Sequence, residues 1–223
     1  MKMKIAKSLI IAWALPLIIF GTAAAKEAAS GVNGNQALEA LMAGNKRYTA
    51  VKNTYPNQTA ERRAELVKGQ KPFAIILSCS DSRVPPEIIF DQGLGDLFVI
   101  RVAGNVVDDI ALGSIEYAAE HLGTPLIMVL GHEKCGAVTA TVEGGEAPGH
   151  IGSFTKAIKP AVEKAKDQPG DKVDNTVKAN VELIVEQLKV SKPILSELVK
   201  EGRLKIVGAR YDLDTGAVDI THE

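Results

Sequence analysis

Apolar residues recur along this chain in two rhythms. Four mainly apolar runs, Phe73 to Leu77, Leu97 to Val102, Leu126 to Leu130 and Leu204 to Arg210, are too short for helices and predict buried strands. Between and around them the apolar positions fall three or four residues apart, the spacing of one helix face. Leu38, Leu41, Met42 and Tyr48 predict a helix from Asn35 onward, and a second is expected from Thr59 to Lys68, stopped by Gly69. Val84 to Phe90 reads as a proline-started turn, Asp109 to His121 as a helix with Ala111, Ile115, Ala118 and Leu122 inward, and Ala137 to Val142 as a short helix. Phe154, Ile158, Ala161 and Ala165 line another, which Pro160 is expected to kink or restart. Asp174 is the expected cap of a longer helix carrying Val177, Val181, Ile184 and Leu188, and Lys192 to Lys200 predicts one more. The turn Asp214-Thr215-Gly216 leads into a short last strand, Ala217 to Ile220, expected antiparallel at an edge.

Continuous apolar strands alternating with helices specify an α/β fold: a mostly parallel central sheet of about four strands plus an edge strand, with helices on both faces. Ligands of such sheets bind beyond the carboxyl ends of the strands. At two of those ends the composition changes abruptly. Cys79-Ser80-Asp81-Ser82-Arg83 follows the first strand, and Gly131-His132-Glu133-Lys134-Cys135-Gly136 follows the third.

The amino terminus changes the picture of where the chain works. Lys2, Lys4 and Lys7 precede an apolar stretch from Leu9 to Phe20, which is followed by Ala23-Ala24-Ala25, the pattern of a secretory signal peptide cleaved after residue 25. The stretch is shorter than the roughly 20 residues that span a bilayer. Cleavage takes the three lysines with it, so the net charge moves from −1 to −4 over the remaining 198 residues, and Trp13, the only tryptophan, is lost. A periplasmic chain is expected, with a flexible leader over residues 26–34 and one domain over 35–223. Its charge recommends neither nucleic acid nor an anionic membrane surface as a partner.

Two cysteines in an exported chain suggest a disulfide. Each of these, however, stands inside its own polar motif, and Cys79, His132 and Cys135 form a donor set suited to Zn²⁺ with a fourth position open. Two thiolates would cancel the metal's charge and leave its water less acidic than a three-histidine site would, so the water needs a helper. Asp81 can accept its proton in a hydrogen bond, with Arg83 clamping the carboxylate; alternatively Asp81 is itself the fourth ligand and closes the site.

The paired motifs, Cys79 to Val84 and Gly131 to Gly136, resemble those of the β-class carbonic anhydrases, and the likeness runs from about Asn35 to Thr221. It implies one Zn²⁺ per subunit, reversible hydration of CO₂ to bicarbonate by metal-activated water, and homodimers or dimer-based oligomers whose N-terminal helices reach over the partner. The family has open, plant-like sites and a second type in which the aspartate binds zinc and a regulatory bicarbonate site uses a tryptophan. Gln70, nine residues before Cys79, matches the plant-like glutamine that orients substrate; Phe98 and Tyr117 match the aromatics lining the CO₂ pocket, and His121 matches a proton relay. Gly136 opens a helix whose N–H groups suit bicarbonate. The absent tryptophan favours the open type. Rival expectations are a hydrolase of carbonyl sulfide or carbon disulfide on the same scaffold, and a closed structural zinc.

Overall fold

The computed structural model describes residues 31–223; the signal-peptide expectation and residues 26–30 of the expected leader lie outside them. Strands β1 (Ala74–Ser78), β2 (Leu97–Arg101), β3 (Leu126–His132), β4 (Lys205–Tyr211) and β5 (Val218–His222) form one sheet in the order β2-β1-β3-β4-β5. The first four are parallel and β5 is the antiparallel edge. Alternation along the strands splits the core in two. Ala74, Ile76, Leu126, Met128 and Val207 join one apolar cluster, while Ile75, Leu77, Ile127, Val129 and Ile206 join the other. Helices cover both faces, as a buried parallel sheet requires.

On the first face lie α1 (Gly34–Thr49), α3 (Pro86–Ile89), α5 (Gly136–Glu143) and α6 (Ile151–Ala165), contributing Leu41, Ile89, Val138 and Ile158. On the second lie α4 (Asp109–Glu116), α7 (Lys172–Lys189) and α8 (Ile194–Lys200), contributing Ile115, Val185 and Leu195. The small helix α2 (Ala60–Leu66) precedes β1 and is capped by the Thr59 hydroxyl. Helix α7 comes unusually close to β3: a Cβ on Gly131 would stand 2.7 Å from Val181 Cγ2, so glycine is needed there. Among the described residues no helix is long and apolar enough to cross a membrane.

Four local expectations are corrected. The leader does not extend to residue 34: Asn33 caps α1 in a reciprocal pair with Gln36, so Gly34 is already helical. Pro160 does not restart α6, which runs through it unbroken. Both Pro160 and Lys156, whose carbonyl loses its donor, are exposed, so water can replace the missing bond. The cap of α7 is Asp171, whose carboxylate accepts from the Asp174 N–H at 2.7 Å, and Asp174 sits one turn in, paired with Arg210 and Lys178. Finally, β3 does not stop at Leu130. Gly131 and His132 pair with Arg210 and Tyr211 of β4, which makes His132 part of the strand.

Candidate metal centre

The loops that leave β1 and β3 meet because those strands are hydrogen-bonded neighbours with Ser78 opposite Leu130. Cys79 follows directly on Ser78, and His132 ends β3 three residues before Cys135, the N-terminal cap position of α5. Their ligand atoms, the two Sγ and a ring nitrogen of His132, lie within 4.8 Å of one another, and all three residues are buried. The sulfurs are 3.9 Å apart. Zinc–sulfur bonds of about 2.3 Å at the tetrahedral angle place two sulfurs about 3.8 Å apart, so the spacing fits one ion.

His132 is oriented for the same purpose. Its Nδ1 donates to the Glu133 carbonyl at 2.8 Å, which leaves the Nε2 lone pair free. That atom is buried and has no hydrogen-bond partner among the described residues, an arrangement unfavourable for a structural histidine and appropriate for a ligand. The two sulfurs lie within hydrogen-bond reach of each other. Cys79 is held at about 4 as a thiolate chiefly by the bond it receives from Cys135, against the upward push of burial, with further help from His132 and the Gly104 N–H. Cys135 is pushed up correspondingly by donating that bond and by burial. A divalent cation bound by Cys79, His132 and Cys135 would take the place of the proton between the sulfurs. The sulfurs are not disulfide-bonded, and both thiols are free.

Asp81 stands beside this cluster without joining it. Arg83 Nε donates to its Oδ1 at 2.9 Å and Arg83 Nη2 to its Oδ2 at 2.7 Å, while the Arg83 backbone N–H reaches Oδ1 at 2.9 Å. The Arg83 clamp, outweighing partial burial, keeps the carboxyl at about 2. Oδ2 remains 3.9 Å from His132 Nε2, so the ionised carboxylate faces the donors from the open side. Arg83 Nη2 also donates to the Lys134 carbonyl at 3.3 Å, which ties the loop after β1 to the loop after β3. Gly136 is exposed at the first position of α5, next to Cys135.

The other expected residues are not brought to the centre within one chain. Phe98 pairs with Ile75, four residues back along β1 from Cys79 and therefore about 13 Å below the metal end of the sheet. Tyr117 and His121 lie on a π-helical turn that continues α4 to residue 121, close to the start of β3. Their rings are 5.1 Å apart and Tyr117 is 6.3 Å from Phe98, so the three form an aromatic row at the opposite end of the sheet. Gln70 is exposed just ahead of β1, at that same end.

Two contributors have only faint sequence signals. Arg101, at the tip of β2, donates from Nε to the Cys79 carbonyl at 2.9 Å and from Nη2 to the Asp81 carbonyl at 2.5 Å, pinning the backbone of the ligand loop. A guanidinium closing an apolar strand was the available clue, since such a charge is retained only where it is satisfied. Gly104, at φ +68°, donates its N–H to Cys79 Sγ at 3.3 Å.

Comparison with known proteins agrees with this geometry. The profile of the family described as carbonic anhydrase matches residues 74–218, which span the four parallel strands and reach the first residue of β5. "Carbonic anhydrase 2" of Mycobacterium tuberculosis is 44% identical over 184 residues, covering 81% of this chain and 89% of that protein. Among solved structures, a tetrameric β-carbonic anhydrase of Sordaria macrospora superposes with a TM-score of 0.67 at 27% identity, covering 83% of this chain and 96% of that one. The β-carbonic anhydrase of Coccomyxa, solved with acetazolamide, gives 0.65 at 28% identity, over 82% and 83%. With the family profile spanning most of the chain and the thiolate–imidazole cluster at the carboxyl ends of β1 and β3, the chain belongs to the β-carbonic anhydrase family.

Proposed function

We infer that this chain is a zinc-dependent carbonic anhydrase, interconverting CO₂ and bicarbonate at a site of the open, plant-like type. The observation that carries the reading is the pairing of the Cys79–His132–Cys135 donor set with an Asp81 whose two oxygens are both engaged by Arg83. Zinc bound to the three donors supplies the Lewis acidity that makes water a nucleophile near neutral pH. Asp81, kept ionised by Arg83, would stand as the hydrogen-bond acceptor for a water held there and so orient it. Arg101 holds the carbonyls on either side of this step, so the carboxylate and Cys79 keep their relative positions. Gly136 adds the amide-lined start of α5 as a berth for the bicarbonate product.

Support for the open type comes from the Arg83 clamp, from Gln70, and from the lack of tryptophan beyond residue 13. Gln70, Phe98 and Tyr117 serve as a CO₂ pocket, and His121 as a relay, only if they face the metal centre of another copy. A dimer-based assembly is therefore part of the proposal, and Tyr117, at 47% exposure, is available to such a partner. The basic start, the apolar stretch from Leu9 to Phe20 and Ala23-Ala24-Ala25 support a periplasmic enzyme whose mature form begins at Lys26.

Stopped-flow CO₂ hydration with metal analysis on the mature protein tests the activity. Rapid hydration should vanish on chelation and in Cys79→Ser. A folded, zinc-loaded protein with no rate above the uncatalysed one would overturn the reading. A pH series with anion inhibitors distinguishes Asp81 as helper from Asp81 as ligand, and N-terminal sequencing of protein from a periplasmic extract tests cleavage.

A further inference from the structure

The two sulfurs of the metal centre are restrained in different ways. The Cys135 sulfur faces the N–H groups of Ala137 and Val138, which belong to the helix that Cys135 itself starts, so their position follows from the chain. The N–H that meets the Cys79 sulfur comes from Gly104, 25 residues away in sequence on the turn after β2. That turn needs a hold from outside. Gly104 sits at φ +68°, ψ 20°, and a Cβ there would stand 2.6 Å from Ile158 Cδ1, so the residue has no side chain with which to anchor itself. Its carbonyl is taken by the Nδ2 of Asn180 on α7, at 3.0 Å.

Asn180 is an unusual residue for its place. It is 3% exposed, its neighbours one position or one turn away on α7 include the buried Val177, Ala179, Val181 and Ile184, and the packing of α7 against the sheet needs no amide. A buried amide is retained where its hydrogen bonds are used. We propose that Asn180 is a positioning residue of the metal centre: by holding the Gly104 carbonyl it keeps the Gly104 N–H on the Cys79 sulfur. An N–H bonded to a thiolate holds the sulfur in one orientation toward the metal and lowers the energy of its lone pairs. In a site with two thiolates, where donation already cancels the ion's charge, this restraint matters more than it would among neutral ligands.

The inference rests on the metal-centre reading, and the test separates the two. The variants are Asn180→Leu, close in volume but without a donor, and Asn180→Ala, in case leucine does not fold. The control is Thr176→Val, which removes a buried side-chain hydrogen bond to the Lys172 carbonyl one turn earlier on the same helix. Two measurements are made on full-length mature protein: the rate of zinc transfer to a chromophoric chelator, and the sulfur-to-metal charge-transfer band of the Co²⁺-substituted form. Loss of the N–H bond should speed zinc transfer about 10-fold or more, in the range for outer-shell partners of metal ligands. It should also move the charge-transfer band to lower energy, a change that general loosening of α7 does not produce. Thr176→Val should leave both at wild-type values. Wild-type transfer rates and an unmoved band in the Asn180 variants would overturn the proposal, as would an equal change in Thr176→Val. A wild-type protein that binds neither metal would instead overturn the metal-centre reading itself.

Discussion

Gly104→Ala offers a quantitative test of how the centre is built. The left-handed backbone at φ +68° costs an L-residue about 1–2 kcal/mol. The new methyl group would stand 2.6 Å from Ile158 Cδ1 and 3.2 Å from Ala137 Cβ, closer than carbon atoms pack, and overfilling of this kind costs a further ~1–3 kcal/mol. The substitution should therefore destabilise by about 2–5 kcal/mol. The closer of the two contacts is to the end of a flexible side chain, and this makes the crowding separable from the backbone strain. Ile158→Val removes that Cδ1 at a cost of about 0.5–1.5 kcal/mol alone. In the double variant the crowding should largely disappear while the backbone strain stays, giving a favourable coupling of about 1 kcal/mol or more. Urea unfolding of zinc-saturated protein at one fixed concentration measures all four corners of the cycle. A cost below about 1 kcal/mol for Gly104→Ala would refute the claim that the turn demands glycine. Simple additivity of the two substitutions would refute Ile158 as the source of the crowding.

Three further outcomes are expected. Arg83→Ala should release Asp81 from its clamp and let its carboxyl rise toward the ordinary aspartate range; CO₂ hydration should fall at least about 10-fold while zinc content, set by Cys79, His132 and Cys135, is retained on metal analysis. Asp91, buried beneath the loop at Thr54 and Tyr55, is raised by burial but lowered more by the Thr54 and Tyr55 N–H groups, Arg47 and the Thr54 hydroxyl, to about 2. Its folded value lies below the unfolded one, so its contribution, about 1–2 kcal/mol once the exposure of that loop is discounted, is present above pH ~4 and is lost as the pH falls through about 2. The stability gap between wild type and Asp91→Asn should narrow over that window in acid titrations, and a constant gap would contradict the assignment. Gln70→Ala and Cys79→Ser should each be poorly active alone, yet mixed and reassembled they should regain part of the wild-type rate, because one site of a mixed dimer then combines an intact donor set with an intact Gln70. No recovery would mean that Gln70 does not serve a second copy.

Much of the centre was legible because its parts are contiguous. Cys79, Asp81 and Arg83 occupy five consecutive residues, and His132 to Cys135 four, each directly after an apolar run. The parallel pairing of β1 with β3 brings those two short segments together without any further long-range information. The helix limits were less legible, since a cap is decided by which side chain reaches an N–H. Asp171 and Asp174 are both plausible caps for α7 in sequence, and only the packed structure, in which Asp174 faces Arg210, separates them.

The residues that support the ligands escaped notice for a different reason. Arg101 is 22 positions from Cys79 and Asn180 is 76 from Gly104, and neither lies in a motif that names a chemistry. Their roles follow from strand register and from the approach of α7, which composition and periodicity do not encode. Conversely, likeness to a family picked out Gln70, Phe98, Tyr117 and His121, but a likeness read along one chain is blind to which copy a residue serves. The sheet sets them apart by distance. Cys79 lies beyond its carboxyl ends, and Phe98 lies level with Ile75 near its amino ends. On the proposed reading a pocket that uses both would be shared between chains, and reassembly of the two inactive variants is the decisive measurement, since a site complete within one chain would gain nothing from mixing.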